Sequence, residues 1–304
     1  MFIERFRRVR EQAPAQPLLP PETVPETKNA QKPRSERRAT VSSDELLNLY
    51  ASPRYAERPR QSIPTTEDET ILSSRERVSS ELLQGKHGVY LVNFKDDGSG
   101  VYKPEATQIT PEAGTGSKRE RAAYLLDRFL GFNMVPPTVI RDAGEGEGSM
   151  QRFVADAATA RQTDREEKMA FKVFPKEEKL RLDFLDYLLA NTDRHEGNWL
   201  VKDQKIYAID HGFAFEEHAR WGYYAEDLLQ YKGMEIPEDI RQSILELHTS
   251  DRMRELFMAV MSELLSTQGL DELFARIDLL RGHLEKSNLI TKELLEAIYN
   301  SFKK

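Results

Sequence analysis

Asp193 and Asn198 stand five positions apart in the run Asn191-Thr192-Asp193-Arg194-His195-Glu196-Gly197-Asn198-Trp199-Leu200-Val201, and Asp210-His211-Gly212 follows a second short apolar run. Phosphoryl transfer needs these parts: one carboxylate to orient or deprotonate an acceptor hydroxyl, and an amide oxygen with a second carboxylate to hold a cation against phosphates. Asp193 takes the first role, and Asn198 and Asp210 are the expected metal ligands, for Mg²⁺ or Mn²⁺ with ATP. Any one of the three alone is an ordinary polar loop residue. Their order and spacing carry the reading.

The elements around them must bring them together. Apolar residues at Leu182, Leu185, Leu188 and Leu189 have the spacing of one buried helix face, so Lys179 to Ala190 is expected to be the helix that delivers Asp193. Trp199-Leu200-Val201 and Ile206-Tyr207-Ala208-Ile209 flank the polar Lys202-Asp203-Gln204-Lys205, a hairpin that would set Asn198 beside Asp210. Upstream, Val89 to Phe94 and Gly100 to Lys103 read as two strands joined by a polar turn. Lys103, at the end of the second, is the expected partner of the α- and β-phosphates. Ser117 to Leu130 reads as a helix with a Ser117/Glu120 capping box and Gly131 at its end. Glu120 is therefore open to two uses, capping or pairing with Lys103. Gly85-Lys86-His87-Gly88 could cover phosphates with backbone amides through Gly85 and Gly88, or could be turn punctuation. Val135 to Ile140 and Met150 to Val154 read as further strands, and Gln151-Arg152-Phe153-Val154 as the hinge: backbone groups of Arg152 and Val154 read the adenine edge while Phe153 packs on it. Strand, strand, helix, strand, strand is the order of a kinase N-lobe. From Pro237 onward the pattern is helical.

The 304 residues include 39% hydrophobic side chains, enough for one large domain or two lobes. No Cys is present, which excludes disulfides, thiolate metal sites and Cys nucleophiles. No run approaches the length of a transmembrane helix and Met1 to Arg10 lacks the apolar core of a signal peptide, so a cytoplasmic protein is expected. The net charge of −7 argues against a nucleic-acid partner. Residues 1–75 hold nine of the fifteen prolines and 13 Lys+Arg against 11 Asp+Glu. They show little apolar pattern and are expected to form a disordered arm that contributes nothing to stability and is available to a partner. Phe2 to Val9, a basic amphipathic turn, and Ser42 to Tyr50, a capped helix that could dock, are its two candidate exceptions. The expected organisation is that arm, an N-lobe over 76–156 and a helical C-lobe over 157–304 carrying the catalytic and metal loops.

Residues 186 to 201 (Asp-Tyr-Leu-Leu-Ala-Asn-Thr-Asp-Arg-His-Glu-Gly-Asn-Trp-Leu-Val) and 208 to 215 (Ala-Ile-Asp-His-Gly-Phe-Ala-Phe) resemble the catalytic and metal loops of the phosphatidylinositol 3/4-kinase-like superfamily. The resemblance is strongest to type II phosphatidylinositol 4-kinases and related bacterial proteins, and more distant to HipA-type kinases. Val101-Tyr102-Lys103-Pro104 is similar to the strand that bears the ATP-binding Lys in that group. The resemblance implies an α+β, two-lobed protein-kinase-like fold, with a small β-rich N-lobe and a mostly helical C-lobe, and an atypical kinase. His195 and His211 are expected to make structural hydrogen bonds, since Mg²⁺ prefers oxygen ligands, and Arg194 to tether a loop or neutralise phosphate charge. The segment from His211 to Gln230 lacks an Ala-Pro-Glu element, and Trp221, Tyr223 and Tyr224 cluster within it. A peptide-docking platform of the ordinary protein-kinase type is not expected. Acceptors therefore stay open among protein, inositol-type and lipid hydroxyls. Two other outcomes remain, a nucleotide-binding scaffold without turnover and transfer of AMP instead of phosphate.

Overall fold

The computed structural model describes residues 66–83, 88–95, 98–167, 176–216, 228–247 and 257–302. The arm segments Phe2 to Val9 and Ser42 to Tyr50, and the Trp221, Tyr223 and Tyr224 cluster, lie outside them.

The smaller lobe is built on strands β1 (Arg77–Leu83), β2 (Val89–Phe94), β3 (Ser99–Pro104), β4 (Thr138–Asp142) and β5 (Glu147–Arg152), in the spatial order β1-β2-β3-β5-β4 with every pairing antiparallel. Helix α1 (Thr66–Ser74) precedes β1, and α2 (Gly116–Leu130) lies between β3 and β4. Alternate side chains of the strands close a small core of Ile71, Leu72, Val92, Phe94, Tyr102, Val139, Ala143 and Met150, as period-two burial requires. Gly131 takes φ 67° and ends α2 with its amide on the Arg128 and Asp127 carbonyls, the left-handed stop that glycine favours.

The larger lobe holds β6 (Ala158–Thr159), α3 (Ala160–Glu167), α4 (Lys176–Leu189), β7 (Trp199–Lys202), β8 (Lys205–Ala208), α5 (Glu238–Glu246), α6 (Thr267–Leu284) and α7 (Lys292–Ser301). Strands β6, β7 and β8 form a second small sheet. Its β7–β8 hairpin pairs Trp199 with Ala208 and Lys202 with Lys205, in the register the polar turn implies. Leu182, Leu185, Leu188 and Leu189 of α4 are fully buried, and so is most of α2, whose Ala122, Ala123, Leu126, Phe129 and Leu130 belong to this second, larger core. The fold is α+β and two-lobed, of the protein-kinase-like type.

Three expectations change here. The first is the boundary at residue 75. Thr66–Ser74 is helical, with Leu72 fully buried, and the Glu69 carboxylate, itself buried, bridges Arg121 at 2.6 Å and Arg128 at 2.7 Å on α2. Ion pairs to a distant helix stabilise a segment whose own apolar pattern is too sparse to be read. The arm therefore cannot be cut at 75 without loss. Glu69→Ala strands two largely buried guanidiniums and is expected to cost about 3–5 kcal/mol, seen as a lowered melting temperature; a chain starting at 76 should likewise melt below one starting at 66. The second change is the capping box. Thr115 is the N-cap of α2 and makes no side-chain cap; Glu105, two residues beyond Lys103, instead accepts from the Gly116 and Ser117 amides at 2.9 and 2.7 Å. A carboxylate there meets both the orphan donors and the positive end of the helix dipole. Third, β1 is an additional strand paired to β2.

Candidate active site

Glu120, released from capping, turns to β3. Lys103 Nζ lies 2.6 Å from Glu120 Oε1 and 2.9 Å from Asp210 Oδ1, so one ammonium joins β3, α2 and the loop after β8. Burial alone would lower the Lys103 amine, yet the Asp210 and Glu120 carboxylates outweigh it and hold the amine above its ordinary value. Glu120 is buried too; the Lys103 charge overcomes the penalty and keeps the carboxyl well below the usual carboxylate range. Both partners stay charged. Strand β5 approaches β3 closely beside Lys103 because residue 148 is glycine: a Cβ there would sit 2.4 Å from the Lys103 carbonyl oxygen.

Arg194 organises the two loops of the larger lobe. Its guanidinium forks onto the buried Asp186 of α4, with Nε at 2.8 Å from Oδ2 and Nη2 at 3.0 Å from Oδ1, while Nη1 donates to the carbonyls of Asn198 and Ile209. The amide of Ile209 donates to the Asn198 carbonyl at 3.1 Å, which extends the hairpin by one step and leaves Asn198 and Asp210 next to each other at its open end. The Asn198 side-chain amide donates to the Asp193 carbonyl at 2.8 Å and to its carboxylate at 3.3 Å. Its own oxygen is thereby left for another partner. The side chains of Asp193 and Asp210 are exposed, and Asp210 adopts φ 62°, a left-handed conformation that a short polar residue tolerates. His195, on the surface, accepts from the Gly197 amide and closes the turn between them.

His211 is fully buried. Burial pushes its pKa below the ordinary imidazole value, against the opposing pull of Glu120. Arg119 of α2 donates to the Ala214 carbonyl, which ties the same loop to the helix a second time.

Lys103, Glu120, Asp193, Asn198 and Asp210 are thus assembled in one place. Gly88 packs on Thr107 with φ 61°, and the Thr107 hydroxyl also reaches the Pro104 carbonyl next to Lys103; Gly85 lies outside the described residues. At the end of β5, Gln151 donates its side-chain amide to Thr138 and the Arg152 guanidinium is 3.4 Å from Asp68. The Arg152 and Phe153 amides donate to the Pro137 and Ser99 carbonyls, so only backbone groups such as the Arg152 carbonyl and those of Val154 suit the expected hinge role. Asp186, Glu105 and Arg119 are supports that the linear reading did not single out. For Asp186 a signal existed: it and Asp183 are acids inside an otherwise largely apolar stretch of the helix. An oxygen donor set of Asn198 and Asp210, completed by phosphates and water, suits Mg²⁺ or Mn²⁺.

A lysine on β3 paired to a helix glutamate and facing Asp210 of the larger lobe is the arrangement of a kinase-like cleft. The chain belongs to the phosphatidylinositol 3- and 4-kinase family, whose pattern matches residues 113–274. It is 36% identical over 179 residues to phosphatidylinositol 4-kinase gamma 4 of Oryza sativa subsp. japonica (44% of this chain, 30% of that one). Over 198 residues it is 31% identical to phosphatidylinositol 4-kinase gamma 3 of Arabidopsis thaliana (50% and 32%). The chain thus spans about a third of the length of these relatives. Among solved structures, the Golgi casein kinase with Mn/ADP bound superposes with a TM-score of 0.48 at 18% identity, covering 78% of this chain and 76% of that one. Among the described residues no helix is long and apolar enough to cross a membrane.

Proposed function

We propose that the chain is an ATP- and divalent-metal-dependent phosphotransferase that moves the γ-phosphoryl group of ATP to an alcohol. The observation that carries this reading is the meeting of Lys103, Glu120 and Asp210 at 2.6 and 2.9 Å, with Asn198 and Asp193 at the end of the same hairpin. In that reading Lys103 moves from Asp210 to the α- and β-phosphates while Glu120 keeps it in place. Asn198 and Asp210 hold the cation, which when bound neutralises charge on the transferred group. Asp193, exposed and steadied by the Asn198 amide, orients the acceptor hydroxyl and takes its proton. The Arg152 carbonyl and the Val154 backbone read adenine, Phe153 packs on it, and Gly85 and Gly88 cover the phosphates. The names of the relatives support trying the headgroup of phosphatidylinositol as the first acceptor, before free inositol-type alcohols and protein hydroxyls.

Labelled ATP with Mg²⁺ or Mn²⁺ and each acceptor class tests the proposal. A product heavier by about 80 Da supports phosphoryl transfer, about 329 Da would show AMP transfer, and binding without any product would show a scaffold. Lys103→Met is expected to weaken MgATP binding by roughly tenfold or more, the worth of a charge-assisted contact. Glu120→Gln should weaken it less, because Lys103 keeps its charge and loses only an anchor. Equal affinities for wild type and the Lys103 variant, measured by calorimetry, would remove Lys103 from the site.

A further inference from the structure

One buried group remains unused by the proposed chemistry. His211 sits at the meeting point of the metal loop, the catalytic loop and α2. Its Nε2 lies 3.0 Å from Arg194 Nη2 and its Nδ1 lies 3.4 Å from Glu120 Oε2. A guanidinium can only donate, so Nε2 must accept and the single proton of a neutral ring sits on Nδ1. The Nδ1 side of the ring faces Glu120 Oε2. His211 Nδ1 and Glu120 Oε2 are each buried and make no hydrogen bond within the described residues, and each is the polar atom that the other faces at 3.4 Å. Arg194 in turn is fixed by its fork on Asp186.

We propose that His211 is a positioning residue: Arg194 sets its tautomer, and its Nδ1–H holds one oxygen of Glu120 so that the other stays on Lys103. The proposal deepens the phosphotransfer reading and rests on it for its consequence. The reason for such a brace lies in the geometry of Lys103. Two carboxylates share it in this structure, and Asp210 must leave it when the cation and phosphates arrive. Glu120 would then be the one remaining anchor for the amine, and a carboxylate loosely held by a single contact would follow it into the cleft. The 3.4 Å contact is not yet a hydrogen bond and tightens into one as the site fills, as polar contacts in ligand-free sites often do.

The test has two arms on the full chain. The first needs no nucleotide: selective ¹⁵N labelling of histidine, with His211 assigned as the signal that survives replacement of each of the other histidines in turn. One imidazole should show the Nδ1–H tautomer, constant across neutral pH and altered in Glu120→Gln. An Nε2–H or doubly protonated His211 would overturn the proposal, even if the Glu120 variant failed to fold. The second arm measures MgATP affinity in His211→Leu, His211→Asn, Glu120→Gln and the His211→Leu/Glu120→Gln pair. His211→Leu should weaken binding about as much as Glu120→Gln, the pair should be no weaker than Glu120→Gln alone, and His211→Asn, which can still donate to Oε2, should recover part of the loss. Full additivity of the two losses, or unchanged affinity in His211→Leu, would overturn it. A wild-type chain that binds no MgATP would sink the phosphotransfer reading, while the tautomer would still judge the His211–Glu120 contact.

Discussion

Asp210→Ala is expected to abolish metal-dependent turnover of ATP, a loss of about 10³-fold or more, while the chain stays folded. The carboxylate is half exposed and the Lys103 ammonium is its one described ion-pair partner, and that ammonium keeps Glu120 when Asp210 is gone. Structure is therefore little affected. Chemistry is lost because removing a charged ligand takes away the link between cation and phosphates. Alanine at φ 62° adds a backbone strain of about 1 kcal/mol, so Asp210→Asn, which tolerates that conformation, is the cleaner companion. Circular dichroism checks the fold and labelled ATP the turnover. Wild-type rates in both variants would mean that the metal ligands lie elsewhere.

Asp193→Asn should separate binding from chemistry. If Asp193 takes the acceptor proton, its amide variant lowers transfer by roughly 10² to 10⁴, yet MgATP affinity remains because Asn198 and Asp210 are intact. In kinetic terms kcat falls and the nucleotide Kd does not. The contact with Asn198 survives in reduced form, since the Asp193 carbonyl, the nearer acceptor at 2.8 Å, is untouched. A variant that loses nucleotide binding along with activity would show that Asp193 serves the metal site and not the acceptor.

What could be read from the chain and what could not divide along one physical line. The β7–β8 hairpin was legible because two apolar runs around a polar turn specify a register by local pairing, and that register alone brings Asn198 to Asp210. The leucine spacing of α4 was legible for the same reason. Glu120 was ambiguous because a local bond and a distant one competed for it; the buried ammonium of Lys103 won, and Glu105 took over the helix end. No local rule announces a cap supplied from eleven residues upstream. Helix α1 was missed outright: only Ile71 and Leu72 of Thr66–Ser74 are apolar, and what secures it is Glu69 between two arginines more than fifty residues away. Such bonds exist only once the tertiary structure does. The acid at Asp186 stood out in its helix, but for the same reason its pairing with Arg194 was not legible.

The depth at which α2 lies has a consequence for control. Its Ala122, Ala123, Leu126, Phe129 and Leu130 are packed into the larger lobe's core, its Arg121 and Arg128 are clamped by Glu69, and its Arg119 holds the loop that follows Asp210. Swinging such a helix aside would return its apolar side chains to water at about 2 kcal/mol for each large one and break buried ion pairs as well. An inactive form made by displacing this helix is thus costly for the chain. Under the proposed reading, a switch that instead admits or excludes the nucleotide or the acceptor leaves both the helix and the Lys103–Glu120 pair in place.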